Sequence, residues 1–443
     1  MTETIETRKR SSIGRVAAAS LIGTSIEWYD FFLYGTATAL VFNKLFFPTL
    51  SPLAGQLAAF ATFWIGFGAR PVGGIFFGHF GDRLGRKNML ILTLLIMGFG
   101  TFLIGCLPTY SSIGILAPIL LVILRFCQGF AVGGEWGGAV LMATEHSPSA
   151  WRGFFGSWPQ IGVPIGLLFS SLFFSLVSTS FSNDQFLSIG WRIPFLISIV
   201  IVLIGLFIRL RISETPDFER VKEQRAIARI PLLQVLRKDL KNVLLAAGIF
   251  FIANGGFYIF ITFVVSYGKT VLKMPGTVFL NGTLVSAVVL FFTLPLAGVL
   301  SDRVGRRTLC LVGAAYTIVM ALPIFWLIDT KSVFLITLAL CLAQFGTGLI
   351  YGPLAAFFTE LFGANVRYSG ASLGYQAASV VAGGLAPFVA TALLGVDHGA
   401  SWPIALYVAG MALITLVSSY LAPETRPTAQ PQEMAFGTAA PGD

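Results

Sequence analysis

Gly78-His79-Phe80-Gly81-Asp82-Arg83-Leu84-Gly85-Arg86-Lys87 lies between two long apolar runs and returns 220 residues later as Gly298-Val299-Leu300-Ser301-Asp302-Arg303-Val304-Gly305-Arg306-Arg307. Both copies keep the order glycine, Asp-Arg, glycine, Arg-basic. A tight, basic, glycine-permitted connection between two membrane-crossing helices fits both places. Two further echoes follow: Glu145 and Arg152 are answered by Glu360 and Arg367 with the same spacing, and Ser213-Glu214-Thr215-Pro216 by Pro423-Glu424-Thr425-Arg426. One half of the chain therefore repeats the other.

The 443 residues are 56% hydrophobic and only 11% charged, far below the roughly 25% charge of soluble domains. This is the composition of a membrane protein. A net charge of +9 does not point to nucleic acid, because the basic residues fall in short clusters between apolar runs. Arg8-Lys9-Arg10 precedes an apolar run too long for a signal peptide and without a small-residue cleavage site, so it introduces a first transmembrane helix. Cys106, Cys127, Cys310 and Cys341 lie in apolar runs without metal-ligand spacing and read as packing thiols. Neither a metal nor a cofactor is expected.

At about 20 apolar residues per crossing, twelve spans are expected: 16–42, 56–77, 89–107, 113–142, 154–177 and 193–210 in the first half, then 243–265, 278–300, 309–328, 333–358, 369–394 and 402–421. The resulting fold class is an all-α membrane protein with two pseudo-symmetric six-helix bundles, 16–210 and 243–421. A tail at 1–15, a linker at 211–242 and a disordered tail at 422–443 complete the chain. Ile230, Leu232, Leu233, Val235 and Leu236 predict an amphipathic helix in the linker. Lys and Arg crowd both basic turns, the linker and both tails, so these segments and both termini are expected in the cytoplasm.

Topology explains the cations but not the acids that accompany them, since acidic residues contribute little to orientation. Asp82, Glu145, Glu214, Asp302, Glu360 and Glu424 have Arg83, Arg86, Arg152, Arg303, Arg306 and Arg367 as prospective partners at the cytoplasmic helix ends. Exposed pairs are worth only ~0–1 kcal/mol each. Acting together, they predict a gate network that biases a two-state transporter.

The doubled basic turn and doubled Glu-x6-Arg resemble the major facilitator superfamily over the whole chain. Within it, Ile26-Glu27-Trp28-Tyr29-Asp30-Phe31-Phe32, Arg125-Phe126-Cys127-Gln128-Gly129, Gly133-Gly134-Glu135-Trp136-Gly137-Gly138 and Val366-Arg367-Tyr368-Ser369-Gly370 resemble the metabolite:proton symporter family, with shikimate transporters the nearest likeness. That resemblance implies the major facilitator fold, alternating access, and proton-coupled uptake of a small organic acid or zwitterion. The implied partners are a small organic anion, a proton and the lipid bilayer, with the protein a monomer.

Ionisable residues inside a membrane are costly unless paired or wetted, so each is a functional candidate. Glu27 and Asp30, three apart on one helix face, lie roughly 17–21 Å from the cytoplasmic end, and Arg125 enters from the other side to about the same depth. Arg70 is similarly deep. Two readings of Arg125 stand side by side: a fork for a substrate carboxylate, or a permanent salt bridge with Glu27 or Asp30. In the first, substrate displacing a carboxylate from Arg125 makes proton uptake easier, which couples the two fluxes. Glu135 reads as a partner of the basic turn or of Arg70, the glycines around it as helix-packing residues, and His79 as a structural hydrogen-bonding residue. Tyr29, Tyr34, Gln128, Trp158, Gln160, Asn254, Tyr258, Gln344, Tyr351, Tyr375 and Gln376 are candidate cavity-lining groups.

Three alternatives remain beside a shikimate-type anion. A dicarboxylate or oxoglutarate symporter uses the same basic cavity. A proline or betaine symporter would set Glu27 or Asp30 against the ammonium group. A membrane enzyme finds no metal spacing, phosphate loop or nucleophile triad in the sequence.

Overall fold

The computed structural model describes residues 13–84, 86–133, 136–145, 147–211, 239–363, 367–396 and 399–426. Within them every regular element is helical. The first half comprises α1 (Ile13–Ala37), α2 (Pro52–Leu84), α3 (Arg86–Cys106), α4 (Leu116–Val132), α5 (Trp136–Glu145), α6 (Arg152–Ser180) and α7 (Arg192–Arg211). The second comprises α8 (Leu240–Tyr258), α9 (Gly276–Val304), α10 (Arg306–Asp329), α11 (Val333–Leu361), α12 (Arg367–Ala378), α13 (Ala386–Leu394) and α14 (Trp402–Leu421). Nine helices among the described residues are long and apolar enough to cross a membrane. The twelve spans are completed by α1 and by the shorter apolar helices Ile91–Cys106 and Leu116–Val132.

Several spans differ from a simple apolar rod. In the fourth span α4 ends at Val132, Gly133 stands in a turn with helical dihedrals, and α5 is described from Trp136 onward. Gly133 is where the backbones of α2 and α4 touch, since a Cβ there would stand 1.9 Å from the Arg70 carbonyl oxygen. Gly129 meets Gly66 in the same way, so glycine sets this crossing. The first, seventh and eleventh spans each contain a π-helical segment, Thr38–Phe42, Ile259–Phe263 and Ser379–Gly384. The first two fall at corresponding points of the repeat and pack against each other. Internal symmetry thus extends to a local irregularity of a kind common at functional sites.

The basic connections are shorter than the ten-residue repeat suggests. α2 continues to Leu84 and α3 begins at Arg86; α9 continues to Val304 and α10 begins at Arg306. Asp302 and Arg303 are therefore helical residues, and Gly305, at φ +104°, makes the second turn. That φ favours glycine, and a Cβ there would also stand 2.3 Å from Glu424 Oε2, so the carboxylate would have to shift.

The halves meet most extensively where α6 lies along α9. Gly153 lies close against Gly298 there, with a Cβ on Gly298 placed 2.6 Å from the Gly153 carbonyl oxygen. Here Asp302 crosses the seam: its two carboxylate oxygens accept the Gly153 and Phe154 backbone N–H groups at 2.9 and 3.0 Å. It caps the start of α6 with a charge from the other half.

The linker helix expected near Ile230–Leu236, Glu214, Glu135, and the chain before 13 and after 426 lie outside the described residues, as do the side chains of His79, Asp82, Arg83, Arg86 and Glu145.

Candidate functional site

α1 brings Glu27, Trp28 and Phe31 to the interface between the halves, while Asp30 and Tyr34, on the same helix, face neighbours within the first half. A small cavity opens there, lined by Thr24, Glu27, Trp28, Arg70, Trp136 and Gln376, with Tyr351 and Tyr375 on its far wall. Both halves contribute. Arg70 is almost wholly buried, and its Nε and Nη2 have no hydrogen-bond partner among the described residues. Its guanidinium rests instead on rings, 4.5 Å from Phe31 and 4.4 Å from Phe67. Such stacking orients a cation while leaving its N–H edge open to a ligand.

Trp136 and Tyr375 close the cavity between the halves, stacked at 3.9 Å and 16°. Tyr351 approaches Tyr375 at 3.5 Å between hydroxyls. The indole N–H of Trp136 turns towards Tyr351 without completing a hydrogen bond. Gln376 donates to the Gly133 carbonyl at 3.3 Å, leaving its own carbonyl oxygen without a partner among the described residues.

Arg125 sits apart from this cavity. Its guanidinium lies 4.3 Å from Phe31, 4.2 Å from Tyr34 and 5.0 Å from Phe63. Gly66 makes the slot, since a Cβ there would stand 2.4 Å from Arg125 Nε. Phe31 thus separates two guanidiniums, one facing the cavity and one behind it. Among the described residues Arg125 and Asp30 form no ion pair; Arg125 Nη1 donates to Gln128 Oε1 at 3.3 Å. Asp30 is 1% exposed, its Oδ1 has no partner among the described residues, and its polar neighbour is the Thr101 hydroxyl.

The other candidates are distributed more widely. Tyr34 shares a 2.6 Å hydrogen bond with Thr62, Gln160 donates to the Tyr351 carbonyl at 2.7 Å across the halves, and Asn254 donates to Ser379 at 3.0 Å. Tyr258 is buried among Phe31, Phe63 and Phe67 and faces Arg70. Gln344 is buried, with neither end of its amide bonded among the described residues. Tyr29 donates to the Pro194 carbonyl, holding α1 to α7.

At the basic end Arg306 pairs with Asp302 at 2.6 Å and with Glu360 at 3.4 Å. Glu424 accepts the backbone N–H groups of Arg306 and Arg307 at 2.8 and 3.1 Å, capping α10. Arg303 contributes its carbonyl to Arg426, and Arg367 donates to the Phe362 carbonyl. Arg152 lies near Glu360.

Thr24, Trp28, Trp136 and Thr101 are absent from the sequence-based candidates. Trp136 carried a legible signal, an indole within a glycine-rich charged stretch whose N–H needs a partner. Thr101 carried none, because a threonine in an apolar helix ordinarily bonds its own backbone.

The profile of the Major Facilitator Superfamily matches residues 20–387. The chain is 44% identical over 410 residues to the shikimate transporter of Escherichia coli strain K12, covering 92% of this chain and 94% of that one. It is 41% identical to an inner membrane metabolite transport protein of the same organism, covering 94% and 95%, and 34% identical to its proline/betaine transporter, covering 93% and 83%. The crystal structure of a D-xylose-proton symporter superposes with a TM-score of 0.72 at 20% identity, covering 94% of this chain and 99% of that one.

Proposed function

The chain belongs to the major facilitator superfamily, and we propose that it is a proton symporter taking up a small organic acid of the shikimate type by alternating access. It is a multi-pass membrane transporter and not an enzyme. The observation that carries the anion reading is Arg70: a buried guanidinium, aimed into a cavity between the halves, with two N–H-bearing nitrogens unbonded among the described residues. A carboxylate supplies the matching acceptors. Asp30, buried behind the same helix face, is the proton carrier of this reading, and Glu27 shapes the polar side of the cavity.

The two bundles, 16–210 and 243–421, rock about the α6–α9 seam. Asp302, Arg306 and Glu360 form the latch at the end where the seam is capped. By the distribution of Lys and Arg this end and both termini are cytoplasmic, and the protein works as a monomer in a bacterial inner membrane.

Uptake into proteoliposomes under an inward proton gradient tests this reading, with labelled shikimate, oxoglutarate and betaine as probes and Arg70→Gln and Arg125→Gln as controls. Accumulation of shikimate or oxoglutarate, abolished by collapsing the gradient, is expected. Equilibration indifferent to the gradient would make the protein a facilitator. Accumulation of betaine alone would favour the second reading, for which the cavity offers Glu27 beside Trp28, Trp136 and Tyr375, the surroundings a quaternary ammonium requires.

A further inference from the structure

Asp30 and Arg125 form no ion pair, yet a line of polar groups runs between them. From Arg125 Nη1 the line passes to Gln128 Oε1 at 3.3 Å, and from Gln128 Nε2 to Thr101 Oγ1 at 2.7 Å. The Thr101 hydroxyl is in turn the polar neighbour of the Asp30 carboxylate. All four side chains are at most 1% exposed. The line is also built for: besides the Gly66 slot for Arg125, a Cβ at Gly100 would stand 3.0 Å from Gln128 Cγ. We propose that Thr101 and Gln128 are positioning residues that couple proton loading at Asp30 to the placement of Arg125. This inference rests on the symport reading above.

The physical basis is that Thr101 has one proton and two claimants for it. In the structure Thr101 Oγ1 donates to the Met97 carbonyl at 3.0 Å while accepting from Gln128. A protonated Asp30 is compatible with that arrangement, because it brings its own donor to the threonine oxygen. An ionised Asp30 is not, because its unbonded oxygen then demands a donor in a dry site. Thr101 answers by rotating its proton from Met97 to Asp30, which redirects the lone pairs that hold Gln128. Gln128 has no slack, since its two ends are committed to Thr101 and Arg125, and a turn of its amide shifts the guanidinium. Other ionisable groups beside the line are Tyr29 next to Asp30 and, around Arg125, Tyr34 on α1, Arg70 on α2 and Tyr258 on α8; Glu27 stands three residues before Asp30 on α1. Arg192 on α7 is held by the carbonyls of Gly105 and Leu107. The bridge thereby transmits a charge change without an ion pair.

The test uses the full chain in proteoliposomes and, among shikimate, oxoglutarate and betaine, the compound that wild type accumulates. Thr101→Val removes the hydroxyl at constant volume, and Thr101→Ser restores it. The expected result for Thr101→Val is accumulation under a proton gradient reduced about tenfold, the worth of one hydrogen bond to a charged group. Substrate exchange at equal pH should fall less than threefold, the pH profile of uptake should flatten, and Thr101→Ser should recover both. Gln128→Met should flatten the same profile independently. A Thr101→Val protein with the wild-type profile would overturn the inference and leave the symport reading standing, as would parallel loss of exchange and accumulation not recovered by serine. Wild-type vesicles that accumulate none of the three compounds would remove both.

Discussion

Trp136 and Tyr375 stack face to face across the two halves, with ring centroids 3.9 Å apart and planes 16° from parallel. Both line the cavity that holds Arg70. Because neither ring belongs to the other's bundle, the contact exists only while the halves are closed here, and it adds to the closed state alone. An aromatic pair is worth ~0.5–1.5 kcal/mol beyond its buried area. Trp136→Ala should therefore raise the open population by roughly 2–10-fold. Maleimide labelling of a Gln376→Cys reporter, with the native cysteines replaced, measures this directly. An unchanged labelling rate would mean the stack follows closure without favouring it.

Arg70 and Arg125 share one face each of Phe31, but only Arg70 reaches the cavity. Their conservative variants should separate. Arg70→Lys keeps the charge and loses the planar fork, so affinity for a carboxylate substrate should fall about tenfold or more. The variant should bind shikimate weakly at every pH examined, because the missing element is geometry. Equal affinity in wild type and Arg70→Lys, measured by equilibrium binding, would move the anion site elsewhere.

Asp302 links the start of α6 to the end of α9 and also holds Arg306 at 2.6 Å. Asp302→Ala leaves two N–H groups uncapped and Arg306 with Glu360 as its remaining acid. Loss of a cap costs ~1 kcal/mol, enough to slow the cycle severalfold while each bundle keeps its own core. Initial uptake, normalised to protein inserted, should fall accordingly. Gly298→Leu is the steric counterpart and should stop transport, since even a Cβ there collides with the Gly153 carbonyl. Wild-type uptake in Gly298→Leu would show that this seam never has to close.

The repeat was legible because the same residue types stand at matching places in both halves: the Asp-Arg and flanking glycines of both copies are visible without any structure. The twelve spans followed from apolar length. What stayed hidden depends on contacts between helices distant in sequence. Nothing in the order of residues says that Arg125 lies over Phe31, Tyr34 and Phe63 instead of meeting Asp30, or that Gly66 leaves room for it. The close approach at Gly133 escaped for the same reason: what it meets is a carbonyl on α2. Apolar periodicity likewise cannot distinguish an α-turn from the π-turns at Thr38–Phe42 and Ile259–Phe263.

Glu424 offers a test confined to the second half. It accepts the first two N–H groups of α10 and stands where a side chain at Gly305 would project. Its charge faces the positive end of a helix, an interaction worth ~0.3–1 kcal/mol and screened by salt. Glu424→Gln should thus lower the melting temperature of the purified protein by a few degrees at low ionic strength, on the order expected for ~1 kcal/mol. The difference should shrink at high salt, whereas the part of the Gly305→Ala deficit that comes from its positive φ should persist in either condition. A salt-independent deficit in Glu424→Gln would instead assign the effect to lost hydrogen-bond geometry, and the cap would not be electrostatic.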